Sequence, residues 1–201
     1  MNKGVFAAAA LLLTAVAGAQ PPEPNLARAQ KLANGGCVLC HGAEGESSSE
    51  LFPKLAAQNS AYLAKQLANF KSGTRKSSTM EPMVKDLTEV DFVSLSAYFA
   101  AKPATAHAPT DVELVAVGRY VYAKGNRWSG VAACAACHGP DAAGTAALPR
   151  LAGQQALYIE NQIKQFNKRE RTNDNEVMHA VAAKMTELEV KAVAEYLAAK
   201  R

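Results

Sequence analysis

Apolar and aromatic residues recur at helical spacing in two matching stretches of the chain. Tyr62, Leu63, Leu67 and Phe70 form one stripe, beginning at Ser60. Leu157, Tyr158, Ile159, Ile163 and Phe166 form the other, beginning at Gln155. Steps of three and four residues place such side chains on one face of an amphipathic helix. Downstream of each stripe a threonine opens a further apolar-periodic run, predicting helices that end at Ala101 and at Lys200. Asp91 and Glu189 stand three residues after Thr88 and Thr186, the spacing of a capping box, in which hydroxyl and carboxylate reciprocally satisfy free backbone N–H groups. A helix is also predicted over residues 114–124, with a shorter equivalent over residues 25–34.

These elements belong to an internal repeat. Pro53-Lys54-Leu55-Ala56-Ala57-Gln58 matches Pro149-Arg150-Leu151-Ala152-Gly153-Gln154, and Tyr62, Gln66, Phe70 and Arg75 match Tyr158, Gln162, Phe166 and Arg171, all at an offset of 96. The closing segments match at 98, Leu87 to Tyr98 against Met185 to Tyr196, so the second half carries a two-residue insertion. Self-similarity of this kind marks a duplicated domain. Abundant alanine and an aromatic content of only 6% favour helix over β-sandwich. The expectation is an all-α protein of two tandem domains, residues 20–102 and 111–201, joined by a proline-bearing linker at 103–110.

The start of the chain stands apart. Lys3 is followed by a 12-residue apolar run from Val5 to Val16 and by Ala17-Gly18-Ala19, the small-x-small pattern of a signal-peptidase site. Crossing a bilayer takes roughly 20 apolar residues, so the run reads as a leader over residues 1–19 and not an anchor. The mature protein is expected outside the cytoplasm. Removing Lys3 leaves 21 basic against 18 acidic residues with no basic cluster, so nucleic acid is not an expected partner.

All four cysteines lie in two units, Cys37-Val38-Leu39-Cys40-His41 and Cys134-Ala135-Ala136-Cys137-His138. A disulfide framework, a zinc site or a thioredoxin-like pair would each leave the adjoining His unexplained. Covalent haem attachment accounts for every residue: two thiols one helical turn apart meet the two porphyrin vinyls, and the His is delivered to the iron. Two covalently bound haem c groups are therefore expected, on Cys37 and Cys40 and on Cys134 and Cys137. His41 and His138 are then the proximal iron ligands.

The repeat also selects distal ligands. Met80 falls on Met178 at the offset of 98, whereas Met83 falls on Val181 and Met185 on Leu87. His41 to Met80 spans 39 residues and His138 to Met178 spans 40. Met80 and Met178 are expected as the second axial ligands, and Met83 and Met185 as helix-face packing residues. Four core methionines is the competing reading, but it does not explain the paired spacing. His107 and His179 have no histidine counterpart in the other half and are not expected to bind iron. Pro53 and Pro149 either present a carbonyl to the proximal His ring or simply make turns. Arg75 and Arg171 either fork onto haem propionates or sit solvated at the surface. No role is assigned to Trp128.

The paired CxxCH units, the paired Met and the Pro-x-Leu-x-x-Gln and Tyr-x-x-x-Gln-x-x-x-Phe elements resemble the dihaem cytochrome c4 family over essentially the whole mature chain. That resemblance implies two class I cytochrome c domains related by a pseudo-twofold axis, with the haems near the interface. Ala57 departs from the family pattern, where glycine is usual and the second half has Gly153. The implied function is periplasmic electron transfer within a respiratory chain, as a carrier and not an enzyme. Its implied partners are redox proteins: a membrane oxidase, a reductase or other cytochromes. Membrane contact is peripheral, through those partners, and the state is monomer or weak dimer. The alternative is a dihaem subunit of a flavocytochrome sulfide dehydrogenase or similar complex. A dihaem peroxidase or thiosulfate oxidase would need an exchangeable iron ligand, which two distal Met do not offer.

Overall fold

The computed structural model describes residues 22–201; the leader expected over residues 1–19 lies outside the described residues. Asn25 opens the first half by accepting the Arg28 N–H on its side chain at 2.9 Å, starting α1 (Leu26–Leu32). Helix α1 does not stop near residue 34 as expected. It runs on through a π-helical turn, Ala33–Cys37, into α2 (Val38–His41). After a loop come α3 (Ser60–Lys71), α4 (Met80–Val84) and α5 (Glu89–Ala100). The second half repeats the plan with α6 (Val112–Lys124), α7 (Ala135–His138), α8 (Ala156–Asn167), α9 (Val177–Ala182) and α10 (Glu187–Ala199). Helix α6 starts two residues earlier than expected because the Asp111 side chain caps it, accepting the Leu114 N–H at 3.3 Å. The short helices α4 and α9 were not expected, since five or six residues are too few to show a period.

Each half closes with a helix packed across the others, α5 on α1 and α3, α10 on α6 and α8. Both closing helices begin with the expected capping boxes, Thr88 with Asp91 and Thr186 with Glu189. The first half holds two apolar clusters, one around Ala29, Leu63, Leu95 and Phe99 and one around Phe70, Val84 and Phe92. The second holds one continuous core from Val121 to Leu197. Gly118 is required there, because a Cβ at that position would lie 1.9 Å from the Ala192 carbonyl oxygen of α10. Where the halves differ at Ala57 and Gly153 the backbone is nonetheless the same. Ala57 adopts φ 53 and Gly153 φ 74, and their N–H groups donate to Phe99 and Leu197 at 3.0 and 2.8 Å. Alanine accepts the left-handed conformation here at a cost of about 1 kcal/mol.

The capping box of α5 carries an extra charge. Arg28 forks onto Asp91, and together with the Thr88 cap it holds the Asp91 carboxyl well below the usual carboxylate range. A depressed carboxylate stabilises fully above its unfolded value of about 3.9 and loses that contribution as pH falls through the lower folded value. Asp91→Asn is expected to cost of the order of 1 kcal/mol at neutral pH. Paired thermal melts at descending pH should show the gap to wild type shrinking below about pH 4.

The two halves are tied by reciprocal hydrogen bonds. Gln58 brackets Arg150, accepting its N–H at 2.7 Å and donating to its carbonyl at 2.8 Å. Gln154 does the same to Lys54, at 2.8 and 3.0 Å. This exchange of equivalent contacts is the pseudo-twofold relation in atomic form. The linker is not a loose tether. Thr105 accepts from the buried Lys54 ammonium, which also pairs with Glu46 at 2.7 Å, and the His107 N–H donates to the Ala198 carbonyl at 3.0 Å.

Candidate functional site

The sites assemble at the ends of α2 and α7. Cys37 and Cys40, and Cys134 and Cys137, are three residues apart on one helical side, and all four are free thiols. Burial pushes the Cys134 thiol up to about 11 and raises that of Cys37 as well, so both are protonated at neutral pH. Both histidines are buried, and burial holds both imidazoles below their ordinary range, hence neutral at pH 7. The His41 Nδ1 lies 2.8 Å from the Pro53 carbonyl oxygen, and the His138 Nδ1 3.3 Å from that of Pro149. A carbonyl only accepts, so Nδ1 carries the proton and Nε2 keeps a free lone pair, the form a metal takes. Of the two roles open to these prolines, the carbonyl one is realised. Gly42 and Gly139, at φ 74 and 79, end the helices directly after the histidines.

Met80 opens α4, half-buried against the cluster of Phe70, Val84 and Phe92. Met178, in α9, is half-buried against the second core. The paired methionines thus occupy equivalent places, each just beyond the arginine that follows the long helix. Met185 packs on the second core as expected. Met83 does not pack in the first: it is 45% exposed, and its methyl lies over Gly36, where a Cβ would approach to 2.9 Å. His179 gives its Nδ1 to the Phe166 carbonyl at 2.9 Å, a structural use. His107 sits in the linker with a buried Nε2 that has no hydrogen-bond partner. Trp128 is 84% exposed in a turn closed by Asn126 and Val131, beneath the Arg127 guanidinium.

The arginines are the main surprise. Arg75 and Arg171 are buried, which removes the solvated reading, and each stacks on its own domain's phenylalanine, Phe70 at 4.6 Å and Phe166 at 4.5 Å. Each then reaches across the interface. Arg75 donates to the Tyr158 hydroxyl at 3.0 Å and to Gln162 at 2.7 Å; Arg171 donates to the Tyr62 hydroxyl at 3.0 Å and to Gln66 at 3.1 Å. Burial opposes ionisation of Tyr158, but the two guanidinium charges and their hydrogen bonds outweigh it and lower its pKa. Among the described residues neither arginine has a carboxylate within ion-pair distance. Two buried cations with neutral partners call for anions, which haem propionates would supply.

The donor set fits haem c on this chemistry: paired free thiols, a neutral imidazole with an open Nε2, a thioether in each half, and buried cations for the propionates. The sequence had marked Gln58, Gln154, Gln66 and Gln162 as repeat matches without giving them a use, and had given Tyr62 and Tyr158, matched in the same way, no use beyond the apolar helix stripes. One signal was available. Gln66 and Gln162 lie on the apolar faces of α3 and α8, four residues after a Tyr and four before a Phe, where an amide is costly unless paired.

Comparison with known proteins agrees with this arrangement. The cytochrome c family profile matches the chain twice, over residues 26–109 and 122–200. The chain is 39% identical over 185 residues to cytochrome c4 of Thiocapsa roseopersicina, covering 90% of this chain and 94% of that protein. It is 38% identical over 168 residues to the thiosulfate dehydrogenase electron acceptor of Thiomonas intermedia, covering 81% and 77%. Among solved structures it is similar to reduced recombinant cytochrome c4 from Pseudomonas stutzeri, with a TM-score of 0.84 and 31% identity over 89% of this chain and all of that one.

Proposed function

The chain belongs to the cytochrome c4 family, dihaem electron-transfer proteins, and on that premise we propose that it is a periplasmic shuttle between respiratory-chain components, passing electrons to a terminal oxidase or reductase. In this reading Cys37 and Cys40 would anchor one haem c and Cys134 and Cys137 the other, and His41 with Met80, and His138 with Met178, would hold the irons. Bound there, haem supplies a one-electron iron couple. The chain's part is to hold and insulate it. Pro53 and Pro149 fix the ring plane and tautomer of each histidine through Nδ1. The apolar clusters beside Met80 and Met178 would keep water from a haem held there, and Arg75 and Arg171 hold positive charge at the domain boundary.

The observation that carries the carrier reading is the equivalence of the two sites. Each half has a buried neutral His and a half-buried Met, and with both on the iron no position would remain for a substrate. The oxidised native protein is expected to take up two electrons, and the reduced form to bind no carbon monoxide. Carbon monoxide adduct formation at either haem contradicts the reading. A second donor is favoured by one observation, the similarity to a protein named as the electron acceptor of thiosulfate dehydrogenase. Reduction of the oxidised protein by thiosulfate and that dehydrogenase, at a rate saturating in this chain, tests it.

A further inference from the structure

The peptide group that orients each proximal histidine is held by the other domain. The Pro53 carbonyl, which accepts the His41 Nδ1–H, and the Lys54 N–H belong to one amide; that N–H donates to the Gln154 side-chain oxygen at 2.8 Å. The equivalent amide pairs the Pro149 carbonyl, facing His138, with the Arg150 N–H, which donates to Gln58 at 2.7 Å. Donation from an amide N–H draws electron density onto the carbonyl oxygen of the same amide, so hydrogen bonds on its two ends strengthen each other. A stronger acceptor on Nδ1–H makes the imidazole a more basic iron ligand, which favours the oxidised iron.

We propose that Gln154 and Gln58 are positioning residues acting across the domain interface, each setting the reduction potential of the haem in the opposite domain through a Gln–peptide–His chain. The proposal rests on His41 and His138 being the proximal ligands. The two chains are not equal. The first is tight throughout, at 2.8 Å on both bonds, and Lys54 is buried, so no water replaces the glutamine. The second is looser at its histidine, 3.3 Å, and Arg150 is only partly buried. Gln154 therefore has the larger influence.

The test is a spectroelectrochemical titration of the holoprotein with Gln154→Met and Gln58→Met, which keep side-chain bulk and remove the acceptor. NMR of the reduced form follows each ring Nδ1–H. In Gln154→Met the N-terminal haem is expected to rise in potential and the His41 Nδ1–H resonance to move upfield, with the C-terminal haem unmoved. Gln58→Met is expected to raise only the C-terminal haem, and by less. Equal shifts at both haems, a shift confined to the mutated domain, or no shift overturns the proposal and leaves the carrier reading intact. A wild-type titration that accounts for fewer than two electrons per chain overturns both. If Gln154→Met fails to load haem, Gln154→Glu decides: an anionic acceptor lowers the N-terminal potential, and an unchanged or raised value overturns the proposal.

Discussion

Arg171→Leu is expected to cost about 1–3 kcal/mol of stability, because it removes four hydrogen bonds from a buried hub and leaves the Asn173 side-chain oxygen without its donor in the interior. Arg171 donates to Asn173 and Gln162 on its own side and to Tyr62 and Gln66 on the other. Leucine fills the space above Phe166 but offers no donor to any of them. Arg75→Leu is expected to cost less. Gln66 and Gln162 keep a guanidinium donor in either variant, since Arg75 and Arg171 each bond to both, but only Arg171 also serves Asn173. Because these bonds cross the interface, the loss should also divide one cooperative denaturant transition into two, one per domain. Equilibrium unfolding followed separately at each domain's haem would read this. A loss under 1 kcal/mol for Arg171→Leu, or a single unchanged transition, would show that the interface does not rest on this pair.

The parts of the fold that repeat were legible in the sequence, and the parts that join the repeats were not. The stripes from Tyr62 to Phe70 and from Leu157 to Phe166 each bury a face against their own domain, so periodicity located α3 and α8 within a residue. Thr88 and Thr186 gave the starts of α5 and α10 because a capping box is a local motif, satisfied within four residues. The run from α1 into α2 was hidden, since a π-helical turn at Ala33–Cys37 breaks the 3.6-residue period without ending the helix. Met83 misled for a related reason. Its spacing suits a helix face, but α4 is so short that this face turns to solvent over Gly36.

In the sites, the cysteine–histidine clusters stand out in the sequence because covalent haem attachment would demand adjacent residues. The second layer was not, because its partners come from the other half of the chain. Gln154 and Lys54 lie 100 residues apart, and nothing at either position announces the other. Arg75 and Arg171 were readable as charged groups near the sites but not as buried ones. Burial there depends on the interface, and only the amides of Gln66 and Gln162 on apolar helix faces hinted that one exists.

Met80 and Met178 carry the remaining weight, since His–Met ligation separates a carrier from an enzyme. A thioether on a c-type haem iron raises its potential and closes the sixth position. Alanine at either position is expected to open that site to carbon monoxide and to lower the potential of one haem, with the other unchanged. The two substitutions should act independently, each within its own domain: Met80 packs in the first half's cluster and Met178 in the second half's core. The most direct measurement is the sulfur-to-iron charge-transfer band of the oxidised protein in wild type, Met80→Ala and Met178→Ala. Two His–Met haems predict that each single variant loses about half of the wild-type intensity and that the double variant loses all of it. A band that survives undiminished in either single variant would contradict the account.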